Sequence, residues 1–250
     1  MKGVTQTLRV MLITVFLMLM GACQFAPHAT AEYREGMSIE PVSRQDDWWI
    51  SRHQQKLKEK QALGNVQLVF LGDSITHSWE KRGKAAWDRF YRDRNALNLG
   101  YSGDKTENVL WRLQNGEVEG IDPSLLVLMI GTNNAGHRME PSQETADGIK
   151  AILDELALRL PSTKVLLLAI FPRGKDDSNP YRQLTMGTNE IIKGFADGQR
   201  VHWLNINGEF LDENRILQRS VMSDLLHPNA DQYTVWATAI EPMVQQLMAE

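Results

Sequence analysis

Ser74, Asp224 and His227 are side chains of this sequence that could do chemistry as a set. Asp224 and His227 sit three apart in Asp224-Leu225-Leu226-His227-Pro228, a spacing that can turn an acid and an imidazole toward one pocket. Ser74 lies far upstream, in Gly72-Asp73-Ser74, just past the apolar run Val66-Gln67-Leu68-Val69-Phe70-Leu71. A serine hydroxyl becomes a nucleophile when a base takes its proton and a third group holds that base, which is what these residue types supply. Acyl transfer also needs donors aimed at the developing oxyanion, each worth about 2.7–4 kcal/mol of transition-state stabilisation. The backbone N–H of Ser74, the N–H of Gly103 and the side-chain amide of Asn133 are candidates. Each residue also has a plainer reading: Ser74 as a helix cap, Gly103 as a turn former, Asn133 and Asn134 as turn or cap residues. The joint pattern, with all of them just past short apolar runs, favours the chemical reading.

Those runs are the elements that must position the site. Val66–Leu71, Ala96–Gly100, Leu125–Ile130, Lys164–Ile170 and Val201–Ile206 are short, apolar and bounded by turn residues. Such runs suit strands buried on both faces of a parallel sheet. Helical patterns separate them: 46–63, a stretch marked by Trp79, Trp87 and Phe90, one with Val109, Leu110 and Leu113, 141–160, Leu184 to Phe195, and a last helix from about Asn229. Pro242 is expected to kink or restart that last helix. Alternation of strand and helix predicts an α/β fold, a three-layer α/β/α sandwich with a five-stranded parallel sheet. Right-handed crossovers then gather all carboxyl strand ends, and with them Ser74, Gly103 and Asn133, on one edge. In the first helix Trp48 and Trp49 read as an anchor against the sheet's flank and His53 as a packed histidine, while 174–182 reads as a polar, flexible rim.

At 250 residues and 42% hydrophobic, the chain can bury one good core. Residues 1–31 read as a signal segment, 32–45 as a linker or extended lead-in, and 46–250 as one domain with a leading helix. Past residue 31 the chain holds 25 basic and 31 acidic residues, with no basic run, so nothing favours nucleic acid. Lys2 and Arg9 precede Val10–Met20, an apolar run too short for a comfortable membrane span. Met20-Gly21-Ala22-Cys23 resembles a bacterial lipobox that would lipidate Cys23, anchoring the protein to an envelope membrane. Ala29-Thr30-Ala31 offers an ordinary signal-peptidase site instead, and both readings imply an exported, periplasmic or envelope protein. Cys23 is the only cysteine, so the domain holds no thiol nucleophile, disulfide or zinc–cysteine site.

Gly72-Asp73-Ser74, Gly103, Gly131-Thr132-Asn133-Asn134 and Asp224-x-x-His227 together resemble the four blocks of the SGNH (GDSL) hydrolases. Asn98-Leu99-Gly100-Tyr101-Ser102-Gly103-Asp104, Val109–Leu113 and Asn115-Gly116-Glu117 resemble the platelet-activating-factor acetylhydrolase catalytic-subunit branch. The resemblance runs from about Val66 to the carboxyl end and departs at Ser102, where that branch commonly has glycine. It implies a flavodoxin-like fold, with Ser74 as nucleophile, His227 as base, Asp224 as orienter, and an oxyanion hole of Ser74 N–H, Gly103 N–H and Asn133. It also implies no metal and no cofactor. The expected function is an exported serine esterase removing short acyl groups, acetyl above all, with a small ester or acetylated carbohydrate as substrate. Animal members of the branch pair up, so a homodimer is an expectation. A longer-chain lipase or lysophospholipase, an acyltransferase and a non-catalytic binding protein are the alternatives. Spacing excludes other folds' chemistry: Gly72–Thr76 lacks the second glycine of an α/β-hydrolase elbow, and Gly100–Gly103 is too short for a dinucleotide fingerprint.

Overall fold

The computed structural model describes residues 33–249. The expected signal segment, with Lys2, Arg9, Cys23 and Ala31, lies outside these described residues. Five strands, β1 (Leu68–Gly72), β2 (Ala96–Gly100), β3 (Leu125–Met129), β4 (Lys164–Leu168) and β5 (Val201–Leu204), form one parallel sheet in the order β2-β1-β3-β4-β5. The last three are one or two residues shorter than their apolar runs, because Ile130, Ala169–Ile170 and Asn205–Ile206 already belong to the loops beyond the sheet. In register, Gly72 pairs with Gly100 on one side and with Met129 on the other, so β2, β1 and β3 end level. The chain moves from β1 outward to β2, then crosses back to β3. That reversal between β1 and β3 is a topological switch point, where open α/β sheets leave a crevice outside the carboxyl ends.

Alternation along β1 shows why the run had to be apolar throughout. Leu68 and Phe70 point into one core cluster, Val69 and Leu71 into the other, and all four are buried. The first cluster packs under α3 (Lys84–Phe90) and α8 (Ala230–Ala249); the second packs under α4 (Thr106–Gln114), α6 (Ser142–Arg159) and α7 (Pro180–Ile192). Phe70 meets the rings of Trp79, Trp87, Tyr91 and Trp236 at centroid distances of 4.7–6.4 Å. Such tilted and edge-on contacts stabilise beyond area burial alone.

Three local details differ from the sequence expectation. The last helix runs through Pro242 as one element instead of restarting. The proline ring leaves the Thr238 carbonyl without its N–H partner, and Thr238 is on the exposed face where water can serve it. Ile240, Val244 and Leu247, all buried, hold the helix on the sheet across that point. Residues Thr132–Arg138 form a seven-residue helix, α5, where the sequence suggested only a turn. Of the two tryptophans in the leading helix α1 (Asp47–Leu63), Trp49 is buried but Trp48 is 41% exposed, so only Trp49 anchors. His53 packs as expected, stacked on Trp49 and hydrogen-bonded to the Asn115 carbonyl at 3.1 Å.

The stretch before α1 lies against the domain. Ser38 is fully buried, its hydroxyl donating to Glu140 Oε1 at 2.5 Å, and the Val42 N–H donates to the Glu107 carbonyl. Beyond β1 the chain turns sharply into α2 (Ser74–His77), which crosses the end of β2. A β-carbon on Gly100 would sit 2.1 Å from the His77 nitrogen and 2.5 Å from the Thr76 carbonyl carbon. Backbone cannot step aside as a flexible side chain can. Gly100→Ala is therefore expected to destabilise the domain by more than about 2 kcal/mol, the range for forced backbone strain in a packed site. Urea unfolding followed by tryptophan fluorescence reads this directly.

Candidate active site

Ser74 Oγ lies 2.8 Å from His227 Nε2, and His227 Nδ1 lies 2.7 Å from Asp224 Oδ2. The structure thus joins the three side chains, from segments 150 residues apart, in one hydrogen-bonded chain. Ser74 arrives at the first position of α2, where a helix start leaves the N–H without an intrahelical acceptor. Asp73 caps this turn by accepting the Ile75 N–H at 3.0 Å.

The acid–histidine segment is shaped by a strained residue. Leu225 adopts φ 58°, in the left-handed region that a branched side chain seldom visits. Its N–H donates to the Met222 carbonyl, and its own carbonyl accepts the Gly174 N–H, each at 2.8 Å. The resulting turn lets Asp224 Oδ1 accept the N–H groups of Leu226 (3.1 Å) and His227 (2.8 Å) while Oδ2 faces the imidazole. Partial burial pushes Asp224 upward, but the His227 N–H, the His227 ring and the Leu226 N–H outweigh it and hold the carboxyl below its ordinary value. The acid stays ionised, fit to orient an imidazole and to stabilise an imidazolium.

Gly103 and Asn133 converge on the same edge. Gly103 has φ +81°, a conformation glycine adopts without strain, in the loop after β2. Asn133, buried in the first turn of α5, donates one amide hydrogen to the Asp104 carbonyl at 2.9 Å. The other amide hydrogen remains for a ligand, and the bond fixes Asn133 to the loop carrying Gly103. Ser102, the departure from the resembled pattern, bonds His77 Nδ1 through its hydroxyl at 3.0 Å. Burial and the nearby Arg52 push His77 down to about 4, so this ring is neutral and ties the Gly103 loop to the helix that starts at Ser74.

Residues that sequence reasoning did not single out surround this frame. Arg112 is fully buried, donating to Asp104 Oδ2 at 2.8 Å, to Glu117, and to the Leu99 and Gly72 carbonyls. Arg173 donates to the backbone and side-chain oxygens of Thr132, beside Asn133. The segment expected as a flexible rim is bonded down: Asn179 caps α7, Asp177 pairs with Arg182 and Arg215, and Arg182 donates to the Arg173 and Gly174 carbonyls. Beyond β4 and β5 a separate cleft of about 670 Å³, lined by Arg182, Met186, Asn189, Asn207 and Arg215 among others, includes none of the three triad side chains. Among the described residues, no His, Cys, Asp and Glu group is arranged to hold a metal ion.

Burial pushes the Asp73 carboxyl up to about 7, helped by Asp104 and opposed by the Ile75 N–H and Arg173. Because the folded-state value lies above the unfolded one, the folded protein holds a proton that the unfolded chain releases. Stability attributable to Asp73 is present below about pH 4 and declines as the pH rises toward 7, by about 1.4 kcal/mol for each pH unit in between. Asp73→Asn keeps a capping oxygen and cannot ionise. Its unfolding free energy relative to the parent is expected to rise between pH 4 and pH 8 in urea titrations, while an unchanged difference would show that Asp73 ionises freely.

Known proteins resemble this chain in sequence and in fold. A model of the GDSL-like lipase/acylhydrolase family matches residues 70–235. The human platelet-activating factor acetylhydrolase IB subunit alpha1 is 34% identical over 209 residues, covering 82% of this chain and 86% of the relative. Among solved structures, a GDSL-like lipase from Bacteroides thetaiotaomicron superposes with a TM-score of 0.65 at 20% identity, covering 78% of this chain and 98% of its own. A carbohydrate acetylesterase from Sinorhizobium meliloti superposes with a TM-score of 0.57 at 17% identity, covering 73% and 100%. With the fold, the family match and the acetylhydrolase relatives in agreement, this chain belongs to the GDSL-like lipase/acylhydrolase family, as a carboxylic ester hydrolase.

Proposed function

We propose that the protein removes short acyl groups, acetyl in the first place, from an ester by way of an acyl-enzyme on Ser74. The observation that carries this reading is the Ser74–His227–Asp224 hydrogen-bonded chain at the β1/β3 switch point. In the first half-reaction His227 Nε2 accepts the hydroxyl proton as Ser74 Oγ attacks the ester carbonyl. The ionised Asp224 keeps Nδ1–H oriented and favours the transient imidazolium. The N–H groups of Ser74 and Gly103 and the free amide hydrogen of Asn133 receive the oxyanion. His227 then returns the proton to the leaving alcohol. In the second half, water attacks the acyl carbonyl and gives a proton to His227, which returns it to Ser74 Oγ as the bond to serine breaks and the acid leaves.

The acetyl preference is supported by the relative named an acetylhydrolase and the structural neighbour named a carbohydrate acetylesterase. O-acetylated carbohydrate is the substrate class we favour. Export rests on Lys2, Arg9 and the Val10–Met20 run, with lipidation at Cys23 and cleavage after Ala31 as its two routes. Intact mass of protein recovered from a bacterial envelope separates them: a lipid-modified chain starting at Cys23, or an unmodified one starting at Glu32. Mass uncut at the amino terminus contradicts both. The homodimer expected from the resemblance is tested by sedimentation.

Hydrolysis of p-nitrophenyl esters of increasing chain length is expected to be fastest with acetate and to vanish in Ser74→Ala. An optimum at eight carbons or longer would replace the acetyl reading with a lipase. Activity that survives Ser74→Ala would remove Ser74 as the nucleophile. Asn133→Ala is expected to lower kcat about 10²–10³-fold, the loss typical of one oxyanion donor, with KM little changed.

A further inference from the structure

Three cations stand around the oxyanion side of the site, and two of them, Lys105 and Arg173, have no carboxylate within ion-pair distance among the described residues. The Arg44 guanidinium, from the stretch before α1, lies against Gly103: a β-carbon there would be 2.7 Å from its Nη1. Arg44 donates from Nη1 to the Ser102 carbonyl at 2.8 Å and from Nε to Asp46 at 2.9 Å, and rests over the exposed Trp48 ring. Lys105, two residues past Gly103, is half-buried and makes no ion pair among the described residues. Arg173 is half-buried on the other flank, bonded to Thr132 and stacked 5.0 Å over Tyr181, and it too has no carboxylate within ion-pair distance among the described residues. Lys105, Arg173, Arg44 and Arg138 all lie near enough to His137, at the end of α5, to help burial hold that imidazole below its usual value.

The acids in this region are engaged elsewhere. Glu107 is bound by both terminal nitrogens of Arg138, at 2.7 and 3.0 Å. Asp104 is shared between Arg112 and Trp49 and lies 3.8 Å from Arg44, and burial pushes it up to about 6. Asp73 is half neutral near pH 7 for the same reason. Burial lowers both Lys105 and Arg173 from their ordinary values, and nearby acids, Glu107 and Asp104 for Lys105 and Asp73 for Arg173, offset that desolvation only in part. Arg44 and Arg173 are held by the Ser102 and Thr132 carbonyls, with guanidinium N–H groups left over to form charge-assisted bonds to a bound anion.

We infer that the rim formed by Lys105, Arg44 and Arg173 binds an anionic group, a carboxylate or a phosphate, on the alcohol portion of the ester. This deepens the short-acyl esterase reading and rests on it: an acetyl group carries no charge, so the anion must belong to the alcohol. An acetylated uronic acid and an acetylated polyol phosphate are the two sources of that chemistry. Lys105 is the residue to vary, because Arg44 also supports the Gly103 loop and Arg173 the Asn133 turn.

The experiment compares matched acetyl esters: acetylated methyl glucuronide against acetylated methyl glucoside, and acetylated glycerol phosphate against acetylglycerol. The parent is expected to prefer the charged member of one pair by about tenfold or more in kcat/KM, and the preferred pair identifies carboxylate or phosphate. Lys105→Ala is expected to cut that ratio about tenfold, Lys105→Glu to bring it below one, and Lys105→Arg to preserve it. A ratio near one in both pairs, or one unmoved by Lys105→Ala in folded protein, overturns the inference. Equal losses on charged and neutral esters do so as well, since they would assign the cations to the oxyanion alone. If no acetyl ester is turned over, the acetylesterase reading fails, and the rim is tested separately by titrating Ser74→Ala protein with methyl glucuronide and with inorganic phosphate. Millimolar or tighter binding that Lys105→Ala weakens upholds the anion site; no binding of either refutes it.

Discussion

A guanidinium with no access to water holds the catalytic edge together. Arg112 reaches from α4 to the Gly72 and Leu99 carbonyls, at the ends of β1 and β2, and to Asp104, the residue after Gly103. Glu117 binds its far side, and Arg112 keeps that carboxyl ionised against the pull of burial. A buried ion pair adds little net stability over a well-packed apolar alternative, but breaking one by removing a partner costs about 3–5 kcal/mol. What this network provides is position. The nucleophile's strand, the neighbouring strand and the loop presenting Gly103 are fixed to one planar group, and Asn133 joins them through the Asp104 carbonyl.

The site divides into a dry half and a wet half. On the sheet side, Asp73, Asp104, Arg112 and Asn133 are buried and bonded, so donors for an oxyanion need not reorganise during reaction. On the other side, the Asp224 side chain is 46% exposed and that of His227 24% exposed, on a loop strained at Leu225 and pinned through Gly174. Water can reach the imidazole, which the second half-reaction requires. Orientation there comes from backbone: Asp224 is aimed by two N–H groups of its own turn, so this acid needs no burial to stay ionised and directed.

Much of this was legible in the sequence because the information is local. Gly72, Gly100 and Gly131 mark where apolar runs stop, and Ser74, Asn133, Asp224 and His227 bring chemistry in their side chains. Parallel topology does the rest, since right-handed crossovers send every strand end to one edge. Arg112, Arg173 and Arg44 were not legible, because what a guanidinium binds depends on which carbonyls and carboxylates the finished fold places around it. The helix at Thr132–Arg138 escaped notice because Thr-Asn-Asn-Ala-Gly-His-Arg has no apolar period; packing of Thr132, Asn133, Asn134 and Ala135 into the domain overrides its weak propensity. A restart at Pro242 does not occur for a similar reason, as buried neighbours on both sides keep α8 one element.

The central claim is that the hydrogen bond from Ser74 to His227 makes this one serine a nucleophile. Exposure to a fluorophosphonate ester, followed by intact mass and peptide mapping, tests it most directly. The account predicts a single adduct, on Ser74, formed at least about a hundredfold more slowly when His227 is replaced by alanine. Labelling of a different serine, or no adduct on protein that hydrolyses esters, would contradict it.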